Sequence, residues 1–130
     1  MKNTGIYIVQ LTNEEPMPVT RDKRHIDTCA RVNRDNIKVG KAENFTSREL
    51  NYHKEFGEDN VMFEPLAELS DIVSAERTVL RALKKYRKLS PKGGRLEWLE
   101  GITYADAKRL ALAALDEHGV EYTPVISDIG

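Results

Sequence analysis

Residues 5–11, GIYIVQL, and residues 36–42, NIKVGKA, predict the two strands around which the rest of the chain is arranged. Both segments carry β-branched side chains, which favour extended backbone, and the second ends near Gly40. A third strand is predicted over residues 61–69, VMFEPLAEL. Because Pro65 has no backbone N–H to donate to a neighbouring strand, we expect this strand at a sheet edge or at a bulge.

Three helices are predicted from apolar periodicity and from the residues that bound them. Residues 46–56 begin with TSRE, which matches the capping box, and Gly57 follows as a C-terminal stop. A second helix is predicted over residues 71–88. The third is predicted over residues 104–118, with Gly119 directly after it.

These elements predict a single α+β domain, an α/β sandwich with a small central three-stranded antiparallel sheet flanked by helices. The length of 130 residues suits one domain. We expect its core to span residues 4–100, with a C-terminal helix and tail at residues 103–130. Residues 12–35 carry prolines and charges with little periodicity, and they predict a long excursion with a short strand near residues 27–32.

The composition excludes several classes of protein. The net charge is −1, so a global attraction to nucleic acid is absent and local clusters must supply any such attraction. The single cysteine, Cys29, excludes a disulfide within the chain and fits a reducing compartment. No apolar run approaches the roughly 20 residues of a membrane span, so we expect a cytoplasmic location and no membrane partner.

Glu76 lies in the middle of the apolar stripe of the second predicted helix. That stripe follows steps of three, four and seven residues and comprises Ile72, Val79, Leu80 and Leu83. An inward-pointing carboxylate is unfavourable unless it is paired, hydrogen-bonded or bound to a cation. Two interpretations remain open. Glu76 is either a partly buried residue paired with an arginine at the domain edge, or a functional carboxylate in a cleft.

Arg48 and Tyr52 share one face of the first predicted helix because they are four residues apart. His53 lies on the neighbouring stripe. An arginine in a first helical turn suits a phosphate, because the positive helix end adds to its charge and its planar head matches two oxygens. The alternative is a solvated surface on which Arg48 pairs with a glutamate.

Two basic clusters, at residues 21–41 and 81–95, supply local positive charge. Such clusters neutralise phosphates and make binding dependent on salt. The predicted nucleic-acid-binding residues are Arg31, Lys41, His53, Lys84, Lys85, Lys88 and Lys92. The alternative for residues 84–88 is a helix C-terminus whose cations complement the helix dipole.

In their order along the chain, these features resemble the GIY-YIG nucleases. The resemblance covers residues 4 to about 100. In the strands, it rests on Gly5-Ile6-Tyr7 and on Lys38-Val39-Gly40, which lies at the position of the family's YIG. In the helices, it rests on Arg48 ten residues after Lys38, on Tyr52 one helical turn later, and on Glu76 in the following helix. The pair Glu97-Trp98 is similar to a branch found in phages and bacteria.

The chain departs from the family pattern in two places. Lys38 stands where the family has the tyrosine of YIG, and residues 12–35 make the spacing between the two motifs long. A clear match to the asparagine that many members carry after the metal-binding helix is also missing.

The resemblance implies roles for five residues. Glu76 would be the ligand of Mg²⁺ or Mn²⁺, and Arg48 would hold the nonbridging phosphate oxygens. Tyr7 would act as a general base toward water or orient it; the role of base requires a lowered pKa, which Lys38, Arg48 and the metal ion would help to provide. Tyr52 would hydrogen-bond the nucleophile or the phosphate.

The resemblance implies a metal-dependent DNA endonuclease that nicks or cuts DNA. It also implies that a phage or a mobile element encodes the protein, and a phage-encoded enzyme would be located in the host cytoplasm. Residues 103–130 are too short for an independent DNA-binding domain, so specificity would come from residues 12–35, from a homodimer or from a protein partner. The alternative is an inactive GIY-YIG fold that binds DNA or protein, which Lys38 and the missing asparagine favour.

Overall fold

The structure is a computed structural model that describes residues 3–19, 30–91 and 93–125. Its strands are β1 (Gly5–Leu11), β2 (Met17–Pro18), β3 (Arg31–Val32), β4 (Asn36–Ala42), β5 (Val61–Glu68), β6 (Arg87–Leu89), β7 (Arg95–Glu100) and β8 (Thr123–Pro124). Its helices are α1 (Phe45–Phe56), α2 (Ile72–Ala82) and α3 (Tyr104–Glu117). The mixed α+β class predicted from the sequence is confirmed.

The main sheet has six strands in the order β6-β7-β4-β1-β5-β8, and each pairing within it is antiparallel. Strands β2 and β3 form a separate two-stranded sheet. The prediction of a three-stranded sheet was therefore wrong. Its three strands lie at the centre as β4-β1-β5, and pairing between distant segments adds β7 and β6 on one side and β8 on the other.

The second helix is shorter than predicted, because α2 ends at Ala82 and residues 87–89 form strand β6. Leu83 is fully buried at the helix end, and a short 3₁₀ turn over Lys84–Tyr86 redirects the chain. The Arg87 side chain then donates from Nε to the Leu96 carbonyl at 2.7 Å. These contacts with β7 cannot be inferred from the helical periodicity of residues 71–88.

The core has two parts because successive residues of a strand face opposite sides of the sheet. On one side, Ile6 and Ile8 of β1 pack against α2 and α3, whose buried residues include Ala75, Val79, Ala111 and Leu115. On the other side, Tyr7 and Val9 pack with α1 and with Trp98 of β7. Helix α1 therefore lies on one face of the sheet and helices α2 and α3 on the other.

A side chain caps the start of each of the three helices, and in α1 the capping residue differs from the predicted one. The side chain of Asn44, and not a residue of the predicted capping box, accepts the Ser47 N–H at 2.9 Å and caps α1. Thr103, the residue directly before the predicted start of α3, caps that helix. Gly119 lies just after the C-terminal end of α3 and has a φ of 67°. In the described part of the chain, no helix is long and apolar enough to cross a membrane.

Pro65 lies beside an irregularity in the pairing of β1 with β5. Ile6 pairs with Ala67, whereas the next residue, Tyr7, pairs with Pro65, so one residue of β5 is unmatched. This is the bulge that Pro65 was expected to mark.

Candidate active site

The phenol ring of Tyr7 lies directly against Gly40 on the neighbouring strand. The two residues are paired across β1 and β4. A Cβ atom added at Gly40 would lie 2.7 Å from the Tyr7 hydroxyl oxygen, which is closer than real Cβ contacts come. Glycine is therefore required at residue 40 for the ring to occupy this position.

Tyr7 and Tyr52 form a buried pair of phenols. Their hydroxyl oxygens are 2.5 Å apart, and only 1% of Tyr7 and 5% of Tyr52 is exposed. The Tyr7 ring also stacks on Phe63, with 4.8 Å between the ring centroids. The Tyr7 phenol is thus buried among Gly40, Tyr52 and Phe63.

Burial raises the pKa of Tyr7 and the pKa of Tyr52 far above the usual range of a phenol. Lys38 and Arg48 act in the opposite direction on the pKa of Tyr7, but burial outweighs both cations. The lowered pKa expected for Tyr7 is therefore absent from this structure. Both phenols carry their protons at neutral pH.

The ammonium group of Lys38 lies beside this pair. Its Nζ is 5.4 Å from the centroid of the Tyr52 ring and 3.3 Å from Oε2 of Glu97. A polar pocket of about 270 Å³ is lined by Lys38, Arg48 and Tyr52, together with two further residues of α1. Tyr52 is thus the member of the phenol pair that lines a pocket.

Glu76 is turned inward from α2, as the helical wheel predicts, and 12% of its side chain is exposed. Its Oε2 accepts the backbone N–H of Lys41 at 3.0 Å, and its Oε1 accepts from Lys41 Nζ at 2.9 Å. The carboxylate therefore has an ion-pair partner, although this partner is a lysine of β4 and not the arginine considered from the sequence. The ion pair by itself satisfies the buried charge.

Glu76 and Tyr7 meet the same strand at consecutive residues. Gly40 carries the Tyr7 ring on the α1 side of the sheet, and Lys41 binds Glu76 on the α2 side. Beyond the end of β4, a cleft of about 470 Å³ separates α1 from the first turn of α2. Its lining includes Lys41, Arg48 and Val73.

Arg48 connects the cleft to the tyrosine pocket because it lines both of them. Among the described residues, no carboxylate forms a salt bridge with Arg48, whereas Lys38 and Lys41 each have one. The guanidinium is exposed on the first turns of α1. Arg48 is therefore open to solvent between the cleft and the tyrosine pocket, which Glu43 and Glu55 respectively also line.

The other predicted nucleic-acid-binding residues are dispersed. His53 pairs with Glu49 at 3.6 Å, Lys88 pairs with Glu100 at 3.0 Å, and Lys85 Nζ lies over the Tyr86 ring at 5.0 Å from its centroid. Arg31 is exposed in β3, Lys84 lines a groove that also contains Glu76, and Lys92 lies outside the described residues.

At Glu76 a Mg²⁺ or Mn²⁺ ion would find a single carboxylate donor, whose two oxygens also accept from Lys41. Within residues 3–19, 30–91 and 93–125, no group of three or more His, Cys, Asp or Glu side chains could hold a metal. Mg²⁺ differs from zinc or calcium in that it keeps several waters and uses one or two carboxylates with substrate phosphates. A single carboxylate that lines an open groove, as Glu76 does, is compatible with that mode of binding.

Two partners of site residues were not predicted from the sequence. One is Lys41 as the partner of Glu76, and the other is Glu97 as the partner of Lys38. The alternation of side chains along a strand indicates the first partner, because it places the Lys41 side chain on the face of the sheet opposite to Gly40. The second depends on the pairing of Lys38 with Trp98 across β4 and β7, which no local pattern indicates.

Comparison with protein-family models, with curated proteins and with solved structures gives no match to this chain. The interpretation of the site rests on its own residues and their geometry.

Proposed function

We propose that this protein is a metal-dependent DNA endonuclease that resembles the GIY-YIG nucleases and hydrolyses phosphodiester bonds. The observation that carries the proposal is the end of β4, where two consecutive residues hold two chemically different groups. Gly40 holds the Tyr7 phenol, and Lys41 holds the Glu76 carboxylate. Arg48 lines the cleft beside them.

Arg48 would bind the nonbridging oxygens of the phosphate. Its planar head can donate two parallel hydrogen bonds to them, and its charge opposes the negative charge that builds up during hydrolysis. Of the two phenols, Tyr52 would make the direct contact with the phosphate, because Tyr52 lines the pocket with Arg48. The Tyr52 hydroxyl would donate a hydrogen bond to the phosphate or orient the attacking water.

Tyr7 would contribute indirectly, by orienting the Tyr52 hydroxyl that contacts the phosphate or the water. The raised pKa of each phenol means that both hold a proton at neutral pH, so the pair would orient and donate in this state. The short contact between the two hydroxyl oxygens lets Tyr7 fix the direction of the Tyr52 hydroxyl.

Glu76 would hold the divalent ion, which when bound would stabilise negative charge on the phosphate and the leaving oxygen. Lys41 would orient this carboxylate through its backbone N–H and its ammonium group. Each carboxylate oxygen uses one lone pair in these contacts, so the other would be available to the ion.

A second candidate is a binding module of the same fold without catalytic activity. The observation that favours it is that two key groups already have partners within the protein: the Glu76 carboxylate is paired with Lys41, and the buried Tyr7 hydroxyl is hydrogen-bonded to Tyr52. Such a module would bind DNA or protein and leave phosphodiester bonds intact.

Cleavage of supercoiled plasmid separates the two candidates. We expect the wild-type chain to nick or linearise the plasmid in Mg²⁺ or Mn²⁺ and to be inactive in EDTA. Arg48→Gln should lower the rate about 100-fold or more, the typical cost of removing a group that stabilises developing charge. Arg109→Gln on α3, where Asp106 is the ion-pair partner, is the matched control and should keep the wild-type rate. Intact plasmid that is nevertheless bound would favour the binding module.

A further inference from the structure

A second groove borders the cleft and follows the outer side of α2. It has a volume of about 440 Å³, and Val73 lines both the groove and the cleft. Four cations line it, namely Arg77, Arg81, Lys84 and Arg87, and its single carboxylate is Glu76. The groove therefore extends from the candidate metal ligand along a row of positive side chains.

The row of cations follows from the helical repeat. Arg77, Arg81 and Lys84 are spaced by four and three residues, so they share one face of the helix and its extension. Arg87 is added from β6, where its Nε donates to the Leu96 carbonyl at 2.7 Å. That bond fixes the guanidinium against β7 without neutralising its charge.

The charge of this groove is not balanced within the described chain. No described carboxylate forms a salt bridge with any of the four cations, and Glu76 is already paired with Lys41. Neighbouring cations differ in this respect, because Lys88 is paired with Glu100 and Lys85 lies over the ring of Tyr86. The structure thus divides the basic segment into side chains that line the groove and side chains with internal partners.

We propose that this groove binds the sugar-phosphate backbone of duplex DNA on one side of the phosphate that reaches Glu76. This proposal rests on the proposed function in one respect, namely that the phosphate to be cleaved lies at Glu76. Four residues of an α-helix span about 6 Å, so the cations form a row that a linear polyanion can follow. A small anion would contact only part of that row, and a flat anionic membrane would not enter a recessed groove.

The test measures binding in EDTA, so that it does not depend on cleavage. Fluorescence anisotropy of a labelled 20-base-pair duplex would be recorded over a series of KCl concentrations. Each phosphate contact contributes about 0.9 to the steepness of the plot of log binding constant against log salt concentration. One such contact therefore raises the affinity at 0.1 M salt about eightfold relative to 1 M salt. We expect Arg77→Gln/Arg81→Gln to lower the slope by about 2 and to weaken binding on the order of 50-fold.

The matched control is Arg109→Gln, which removes an exposed arginine from α3 on the same face of the sheet. It should leave the salt slope unchanged. Arg81→Glu should weaken binding more than Arg81→Gln, and unchanged melting temperatures would show that each variant is folded. A wild-type salt slope in the double variant would overturn the proposal. A double variant that loses binding to phosphatidylglycerol vesicles but keeps its affinity for the duplex would overturn it too.

The two proposals fail in different ways. If the plasmid stays intact while the double variant loses its affinity for DNA, the endonuclease is excluded and the groove is supported. If wild-type chain cleaves the plasmid and the double variant binds the duplex like wild type, the groove is excluded and the endonuclease is supported.

Discussion

Two glutamates of this protein have nearly the same immediate surroundings, yet they belong to different kinds of region. Glu76 pairs with Lys41 at 2.9 Å, and Glu64 of β5 pairs with Lys108 of α3 at 2.7 Å. Their side chains are 12% and 19% exposed, and both lysines are 39% exposed. The second oxygen of Glu64 accepts from the Tyr104 hydroxyl, whereas that of Glu76 accepts a backbone N–H.

The difference lies in what surrounds the two pairs. Both partners of Glu64 come from the first turns of α3, so this carboxylate fastens one helix to the sheet. Glu76 lines a groove with four cations and is bound to the residue after Gly40. A partly buried carboxylate with a lysine partner is thus no indication of function by itself, and the open, cationic surroundings are what distinguish Glu76.

A substantial loss of stability is expected when Gly40 is replaced, because the Tyr7 ring leaves no space for a methyl group there. Gly40→Ala should lower the free energy of unfolding by about 1–3 kcal/mol, the usual range for overpacking a core. Gly94→Ala is the control, because a Cβ there would be 3.6 Å from the nearest atom and the residue has no positive φ. Urea denaturation measures both. Equal stability of the two variants would refute the close packing of Tyr7 on Gly40.

Removal of the two carboxylates should separate their structural roles. Glu64→Ala leaves both Tyr104 and Lys108 without their acceptor, so we expect a loss of about 1–3 kcal/mol in the free energy of unfolding. Glu76→Ala should cost less, about 1 kcal/mol, because removing this side chain from the wall of the open groove lets water reach both the backbone N–H and the ammonium group of Lys41. The same urea titrations test this order. The reverse order would mean that Glu76 is the more structural of the two.

The smallest effect is expected at high pH. Burial raises the pKa of Tyr7, Tyr52 and Tyr104, so the folded chain keeps these protons when the unfolded chain begins to lose them near pH 10.0. The stabilisation is complete below pH 10 and decreases as the pH rises above it, by at most about 1.4 kcal/mol per pH unit for each tyrosine. Tyr104→Phe should make the decrease shallower by less than one such contribution, because Tyr104 is only partly buried. Denaturation between pH 9 and 11 measures the slopes, and identical slopes would contradict the prediction.

The elements that the sequence predicts well are those with a strong local signal. Residues 5–11 and 36–42 form β1 and β4 with the predicted bounds, and α3 starts and stops beside Thr103 and Gly119. The end of α2 and strand β6 were missed, because pairing with β7 decides the conformation of residues 87–89. Local periodicity carries no information about such a distant partner.

The same division applies to the site. The inward direction of Glu76 follows from helical periodicity, and the prediction agrees with its low exposure. The partner of Glu76 depends on how α2 packs on β4, and the pKa of Tyr7 depends on the enclosure of its ring by Tyr52 and Phe63. Both are properties of the folded core, so the sequence did not reveal that burial opposes the lowered pKa that a general-base role for Tyr7 requires.

The central claim is that Glu76 serves chemistry and Glu64 serves structure. The most direct test compares the rates of plasmid cleavage in Mg²⁺ by Glu76→Gln and Glu64→Gln, under conditions where both variants are folded. We expect Glu76→Gln to lose about 100-fold or more in rate while it still binds duplex DNA, and Glu64→Gln to cleave at a rate close to wild type. Equal losses in the two variants, or a fully active Glu76→Gln, would contradict the claim.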